Sequence, residues 1–367
     1  MSRYTLTQLL TDKSALDNSR VTQSEQDASL ADGEVLLKIR RCAITTNNIT
    51  YAAFGDSMQY WQFFPTGIPG WGHMPVWGFA DVLASAADGI AVGERFYGYF
   101  PVASHIRMVA ERVTKRGFYD GSEHRRALVS AYNQYTRCSA DPAYAEPLEN
   151  YQMLVRPLFI TSFMLADFLQ DNAFFGAQRL VISSASSKTA YGTAFCLKDY
   201  PQVELVALTS ARNRGFVEGL GCYQHTISYE ELDRQPKDQP TLYVDFSGDV
   251  DLRARIHRHY GDALVYDCFA GSAQNTDVPS DADLPGPKPA FYFAPIQIRK
   301  RNADWGPDLV NQRFNAAQSS FIAHISNPQH VWMQVVEEEG FAAAQTLISN
   351  LHDGKIDAQQ GRVIRLD

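Results

Sequence analysis

The stretch Arg179-Leu-Val-Ile-Ser-Ser-Ala-Ser-Ser-Lys-Thr-Ala-Tyr-Gly-Thr-Ala-Phe195 decides how the rest of this chain is read. Leu180, Val181 and Ile182 form a short apolar run with β-branched members, the mark of a strand buried on both faces. Ser183 to Ser187 are small, mostly polar residues that suit a tight turn. From Lys188 onward, Ala190, Ala194, Phe195 and Leu197 recur as one apolar helical face. Strand, small-residue turn and helix predict the first unit of a doubly wound nucleotide-binding sheet, with a pyrophosphate seated on the helix N-terminus.

The glycine pattern G-x-G-x-x-G usual at such a turn is absent. Ser184, Ser186 and Ser187 stand in place of glycines, and Gly192 arrives only later in the helix. Serine still lets a backbone come close, its hydroxyl can bond a phosphate oxygen, and Lys188 would set a cation beside it. Taken alone, the stretch favours an ordinary strand-to-helix turn with a serine cap.

Working outward, strands and helices alternate. Residues 203–209 read as a strand, 212–220 as a helix, 225–229 as a short strand, 241–247 as a strand, 250–260 as a helix and 263–269 as a strand. This spacing predicts βαβ units and a parallel sheet. Residues 274–289, rich in Asp and Pro, read as loop; 291–295 as a strand, 309–326 and 331–351 as helices, and 361–366 as a last strand. Before the parallel sheet, 158–172 carries helical periodicity and 111–150 is polar and irregular. Residues 1–30 suggest an edge strand plus loop. Segments 34–44, 78–84 and 91–100, with glycine turns between them, predict a small β-barrel. Between the first two of these, 54–77 is dense in Phe, Trp, Tyr, Pro and Gly and cannot form a regular helix.

A chain of 367 residues has room for two domains with full cores. A net charge of -8 argues against nucleic-acid or anionic-membrane partners. The N-terminus has no apolar signal core, and no run of ~18 apolar residues occurs, so a soluble, cytoplasmic protein is expected. Cys42, Cys138, Cys196, Cys222 and Cys268 are odd in number and widely separated, with no metal-ligand spacing, and read as reduced structural thiols.

A β-rich first third, a nucleotide-binding middle and a closing helix and strand resemble the medium-chain dehydrogenase/reductase superfamily, in its zinc-free, quinone-oxidoreductase-like and enoyl-reductase-like branches. The resemblance rests on Asp32-Gly-Glu-Val-Leu-Leu-Lys-Ile39, Ala91-Val-Gly-Glu-Arg-Phe-Tyr-Gly98, Leu220-Gly-Cys-Tyr-Gln-His-Thr-Ile-Ser-Tyr229, Leu351-His-Asp-Gly-Lys-Ile-Asp357 and Arg362-Val-Ile-Arg-Leu366. Within it, Ser183 to Ala190 and Leu208 to Asn213 are similar to a bacterial family of unknown function. The implied fold is a barrel-like (GroES-like) domain, residues 1–150 completed by about 300–367, and a doubly wound parallel-sheet Rossmann domain at 151–299. Cofactor and substrate are then expected in the cleft between them.

Where zinc-dependent members keep a catalytic cysteine, this chain has Thr45. Their Gly-His-Glu motif falls either on Val76-Trp77-Gly78 or on Gly72-His73-Met74, so the ligands of a catalytic zinc are not assembled. Cofactor choice is read at the end of the second strand. Thr209-Ser-Ala-Arg-Asn213 offers no carboxylate for a ribose 2′-hydroxyl, whereas Ser210 and Arg212 would bond a 2′-phosphate. NADPH is favoured, although the arginine also fits a solvated helix start.

The resemblance places Ser184, Ala185, Ser186, Ser187, Lys188 and Thr189 at the pyrophosphate. It sets Ser210, Arg212, Asn213 and Tyr229 near the adenosine. Phe246, Ser247, Gly248, Cys268, Phe269 and Ala270 follow at later strand ends, with Phe293 and Thr161 near the nicotinamide. Phe246 and Phe269 also read as plain core.

Candidates for the chemistry are Asn47, Tyr51, Tyr132 and Tyr135, since a phenol can donate to an enolate and pass on a proton. With 18 tyrosines in the chain, each also reads as a packed amphipathic side chain. Trp61, Phe63, Phe64, Trp71 and Trp77 would wall an apolar pocket or fill the barrel, and His73 reads as a loop histidine or an acid. The reaction expected is NADPH-dependent reduction of an activated C=C bond or a quinone. A carbonyl/alcohol oxidoreductase and a non-catalytic NADPH-binding descendant are the alternatives. A small hydrophobic substrate is the expected partner, and a homodimer follows by analogy.

Overall fold

The computed structural model describes residues 3–270, 284–329 and 331–366. The chain begins with β1 (Arg3–Asp12), β2 (Ala15–Asp27), β3 (Glu34–Ala43) and α1 (Thr46–Ala53). Next come β4 (Trp71–Gly72), β5 (Pro75–Ser85), β6 (Arg95–Pro101), β7 (His105–Thr114), β8 (Gly117–Asp120) and β9 (Gln134–Arg137). A long helix, α2 (Glu149–Asp171), leads to β10 (Arg179–Ile182), α3 (Lys188–Leu197), β11 (Glu204–Thr209), α4 (Arg214–Gly219) and β12 (His225–Ser228). Then follow β13 (Thr241–Asp245), α5 (Val250–Tyr260), β14 (Leu264–Phe269), β15 (Pro289–Phe291), α6 (Ala294–Trp305) and α7 (Pro307–Ile325). The chain closes with β16 (Gln334–Glu339), α8 (Gly340–His352) and β17 (Gln360–Arg365).

Two compact units result: residues 1–154 with 334–367, and residues 155–333. In the first, β3, β5, β6, β9, β8 and β7 pair in that order, and β7 pairs back to β3, which closes a six-stranded antiparallel barrel. Closure removes the free edges of a sheet. Its inward residues alternate with outward ones, so Val35, Leu37, Val76, Val82, Phe96, Phe100, Met108 and Phe118 form one core. Ala344, Leu347 and Ile348 of α8 join that core.

In the second unit six strands run in the order β12-β11-β10-β13-β14-β15, all parallel. Numbered within the unit this is 3-2-1-4-5-6, a doubly wound sheet whose order reverses between β10 and β13. Leu180, Val181 and Ile182 have no exposed surface, as a central strand covered on both faces requires. Ser187 caps α3 by accepting from the Ala190 N–H at 3.3 Å, and Asp249 caps α5 through the Leu252 N–H at 2.9 Å.

Several expectations change. Residues 1–30 are not an edge strand with a loop but the long hairpin β1–β2, paired from Arg3–Asp27 inward and buried through Leu9 and Leu10. The irregular stretch 111–150 holds β8, β9 and the end of β7. The helix expected at 158–172 begins at Glu149. The strand expected at 291–295 ends at Phe291, and Pro295, in the first turn of α6 where a missing N–H costs nothing, starts a helix instead. The helix expected over 331–351 is a strand up to Glu339, because Val335 and Val336 pair with β17; Gly340, at φ +85°, then turns the chain into α8. Residues 300–333 belong with the parallel-sheet unit: Phe321 of α7 stacks on Phe159 of α2 with ring centroids 4.6 Å apart. Of the loop expected at 274–289, residues 274–283 lie outside the described ones. α2 with its preceding turn is long and apolar enough to cross a membrane by length and composition, yet 56% of that stretch is buried inside the protein, as in a core helix.

Candidate functional site

In the parallel-sheet unit, the C-terminal strand ends gather the expected binding residues. The turn after β10 bends at Ser184, whose φ of +47° is the one left-handed conformation between Ser183 and Ser187. Glycine would adopt it without strain. Here the Ser184 N–H donates to the Tyr229 hydroxyl at 3.2 Å, tying the turn to the end of β12. Ala185 is fully buried, with its N–H on the Leu208 carbonyl at 3.2 Å and its carbonyl taking the Tyr223 hydroxyl at 3.2 Å. It shapes the turn and offers no group of its own.

Asn213 donates from Nδ2 to Ser186 Oγ at 3.1 Å, so the end of β11 and the turn after β10 form one surface. Arg212 is exposed and makes no hydrogen bond or ion pair among the described residues, and the Ser210 hydroxyl likewise has no partner. Arg214 is committed instead to Glu218 and Glu231, each at 2.9 Å. Lys188 opens α3, and crowding by neighbouring atoms pushes its ammonium down to about 8. A helix N-terminus disfavours a cation, so both effects are relieved by an anion placed there. A hydroxyl, an amide, an unpaired guanidinium and no carboxylate at the end of β11 form a donor set that fits a phosphorylated ribose.

Ser247 and Gly248 form the turn after β13, their N–H groups donating to Asp245 Oδ1 at 2.8 and 3.1 Å. Phe246 is buried and Cys268 is wholly so, with its thiol pushed up by burial; both are core residues that offer nothing but backbone to a ligand. The Ala270 N–H donates to the Asp245 carbonyl at 3.0 Å. Phe269 packs against Arg253, 4.8 Å from the guanidinium carbon. Phe293, 37% exposed, stacks on Phe291 at the open edge of the sheet. Among the described residues the Thr161 side chain makes no hydrogen bond; its neighbour Ser162 does, donating to the Thr189 carbonyl at 2.8 Å.

In the barrel unit, Tyr51, Tyr60, Phe63, Phe64, Tyr99 and Leu128 form a second cluster, with Trp77 and Tyr132 against it. Trp77 Nε1 donates to the Tyr51 hydroxyl at 3.2 Å, and the Tyr60 and Tyr132 hydroxyls are 3.2 Å apart. Burial pushes the Tyr51 phenol up to about 12, against opposing hydrogen bonds from Trp77, Asn47 and Tyr132. Tyr132 and Tyr99 are raised further, chiefly by burial. The Tyr99 hydroxyl is buried without a hydrogen-bond partner among the described residues. Asn47, Tyr51 and Tyr132 are therefore brought together around neutral phenols.

Tyr135 is not among them. It has no exposed surface, stacks on Phe118 in the barrel core, donates to the Tyr99 carbonyl at 2.6 Å and accepts from Arg125 at 2.9 Å. A Cβ on Gly98 would sit 2.3 Å from its ring. The expected catalytic role is replaced by a structural one. Trp61 is barrel core, Phe63 and Phe64 back the tyrosine cluster, and Trp71 lies under Arg20 at 4.1 Å. His73 is buried, and burial lowers it to about 4, so it stays neutral and is a poor acid. Among the described residues no His, Cys, Asp and Glu side chains group as a metal site.

A family model described as "Protein of unknown function (DUF2855)" matches residues 42–357. The chain belongs to this family. No curated protein matches it. Solved structures similar to this DUF2855 member include CurA from Vibrio vulnificus in complex with NADPH (TM-score 0.61, 14% identity, covering 100% of this chain and 99% of that one). The CurK enoyl reductase (0.54, 12%, 99% and 99%) and the quinone oxidoreductase from Coxiella burnetii (0.52, 12%, 99% and 100%) are also similar. At these identities the likeness is one of fold.

Sequence reasoning missed Tyr60, Tyr99 and Arg125 in the barrel unit, and Ser162, Asp245, Arg253, His257 and Asp267 in the other. Arg253 and His257 did carry a signal, since residues four apart on a helix share a face.

Proposed function

We propose that this protein is an NADPH-dependent oxidoreductase acting on an apolar substrate with a conjugated carbonyl, by reduction of an activated C=C bond or a quinone. The observation that carries the reading is the end of β11, where Ser210 and Arg212 adjoin Asn213, which bonds Ser186, with no carboxylate among them. That chemistry matches a ribose 2′-phosphate and would repel nothing in it. CurA, of the same fold, was crystallised with NADPH, which supports the same cofactor here.

Bound NADPH supplies a hydride. The Ser183–Ser187 turn and the first amides of α3 would hold its pyrophosphate, with Lys188 adding charge. Tyr51 and Tyr132 would donate hydrogen bonds to the oxygen on which negative charge develops, and one phenol would deliver the proton. Raised phenol pKa values keep these donors protonated at neutral pH. Asn47 and Trp77 would orient Tyr51, and the aromatic faces around them suit an apolar substrate.

A thermal-shift comparison tests the reading, because a ligand of the native state raises the melting temperature. NADPH is expected to stabilise the protein more than NADH at equal concentration; no shift with either sinks the proposal.

A further inference from the structure

Beneath the strand ends of the parallel sheet lies a chain of four buried ionisable side chains. Asp245 ends β13, Asp267 lies on β14, and Arg253 and His257 face them from α5; none is more than 2% exposed. Asp245 Oδ1 accepts from the Ser183 hydroxyl at 2.9 Å, the Ser247 hydroxyl at 2.7 Å, and the N–H groups of Ser247 and Gly248. Its other oxygen takes Arg253 Nη2. Arg253 Nε lies 3.2 Å from Asp267 Oδ2, which also faces His257 Nε2 at 2.8 Å. His257 Nδ1 sits 2.8 Å from the Pro285 carbonyl. Both ring nitrogens of His257 thus lie within hydrogen-bond distance of an oxygen.

Burying four ionisable side chains adds little stability by itself, since apolar side chains of the same volume often do as well. What this chain holds is specific. Through one carboxylate it grips Ser183, on the turn after β10, and Ser247–Gly248, on the turn after β13. These are the two sides of the point where the strand order reverses, and a dinucleotide binds at such a point. The half-sheet β13–β15 serves the second nucleotide of the pair, while β10–β12 serves the first.

We propose that Asp245, Arg253, Asp267 and His257 are positioning residues that fix the Ser183 and Ser247–Gly248 turns for the nicotinamide nucleotide half of NADPH. This rests on the NADPH reading above. The chain touches neither Ser210 nor Arg212, so the adenosine 2′-phosphate should not feel it.

The test compares binding of NADPH with binding of adenosine 2′-monophosphate, which carries no phosphate for the Ser183–Ser187 turn, by calorimetry, in wild type and in His257→Gln and Asp267→Asn. Weakening of NADPH by about fivefold or more, with the monophosphate unchanged, supports the proposal. An unchanged NADPH affinity in a folded variant overturns it, as does parallel weakening of both ligands, which would mark a structural role. If Asp267→Asn does not fold, Arg253→Lys decides, its retained charge giving a smaller loss in the same ratio. Wild-type protein that binds neither ligand refutes the NADPH reading itself, a separate result.

Discussion

Ser162 Oγ bonds the Thr189 carbonyl at 2.8 Å and stands where a Cβ on Gly192 would come within 2.7 Å of it. This glycine, late in the helix, is what lets α2 lie against α3 directly behind the Ser183–Ser187 turn. Gly192→Ala would gain about 1 kcal/mol of helix propensity. It would lose about 1–3 kcal/mol to overpacking against a side chain already held by a hydrogen bond. Net destabilisation is expected in urea unfolding. Adding Ser162→Ala should recover most of it, and the two changes should be non-additive. A Gly192→Ala protein as stable as wild type would mean that the helices can part freely.

Lys188 gives a prediction with a pH sign. Its folded pKa, about 8, is below the unfolded value, so between the two the unfolded chain binds more protons. Stability contributed by this group is therefore lowest below pH 8 and rises through that window. Lys188→Met should remove the slope and raise stability at pH 7. Part of the residue is still exposed, so the gain is set at about 1 kcal/mol rather than the full shift. The same variant should bind NADPH more weakly, and wild-type affinity should fall as pH rises through 8. Thermal melts and titrations from pH 6 to 10 read both. A variant that gains stability and keeps full affinity would take Lys188 out of the cofactor site.

What the sequence made legible follows from local chemistry. The apolar run 180–182, the serine turn and the alternation after it were enough for a doubly wound sheet, because a parallel sheet writes its burial into every strand. The glycine-punctuated strands announced the barrel, though not β8 and β9, whose short runs lack alternation. β16 was hidden by its acidic residues, Glu337 to Glu339, which suit a helix surface as well as an edge strand. In the site, Tyr51 and Tyr132 were separable from the other tyrosines only by resemblance. Nothing local told Tyr132, in the hydroxyl cluster, from Tyr135 three residues on, in the barrel core. The charge chain under the strand ends needs four residues from three elements, and only the register of β13 with β14 brings them together.

Arg212 offers the cleanest test of cofactor choice, because among the described residues it has no hydrogen-bond or ion-pair partner to lose. Arg212→Ala should weaken NADPH binding by about tenfold, in the range of a charge-assisted hydrogen bond, and leave NADH unchanged. Calorimetry at fixed ionic strength measures both, since the contribution of an exposed charge depends on salt. Equal effects on the two cofactors would move the 2′-phosphate away from the end of β11.

The tyrosine cluster predicts opposite outcomes for residues close in sequence. Tyr51→Phe and Tyr132→Phe remove hydroxyls that, among the described residues, bond only side chains, so folding should change little. Turnover should fall by about 10²-fold for whichever phenol delivers the proton. Because burial raises these phenols, the rate should show no phenol ionisation limb below about pH 10. Tyr135→Phe should do the reverse. It strips a partner from both Arg125 and the Tyr99 carbonyl, costing about 1–3 kcal/mol of stability, while kcat in the folded fraction stays near wild type. Paired melts and steady-state rates with an enone and a quinone separate the two behaviours. Full activity in a Tyr51→Phe/Tyr132→Phe double variant would place the proton donor outside this cluster.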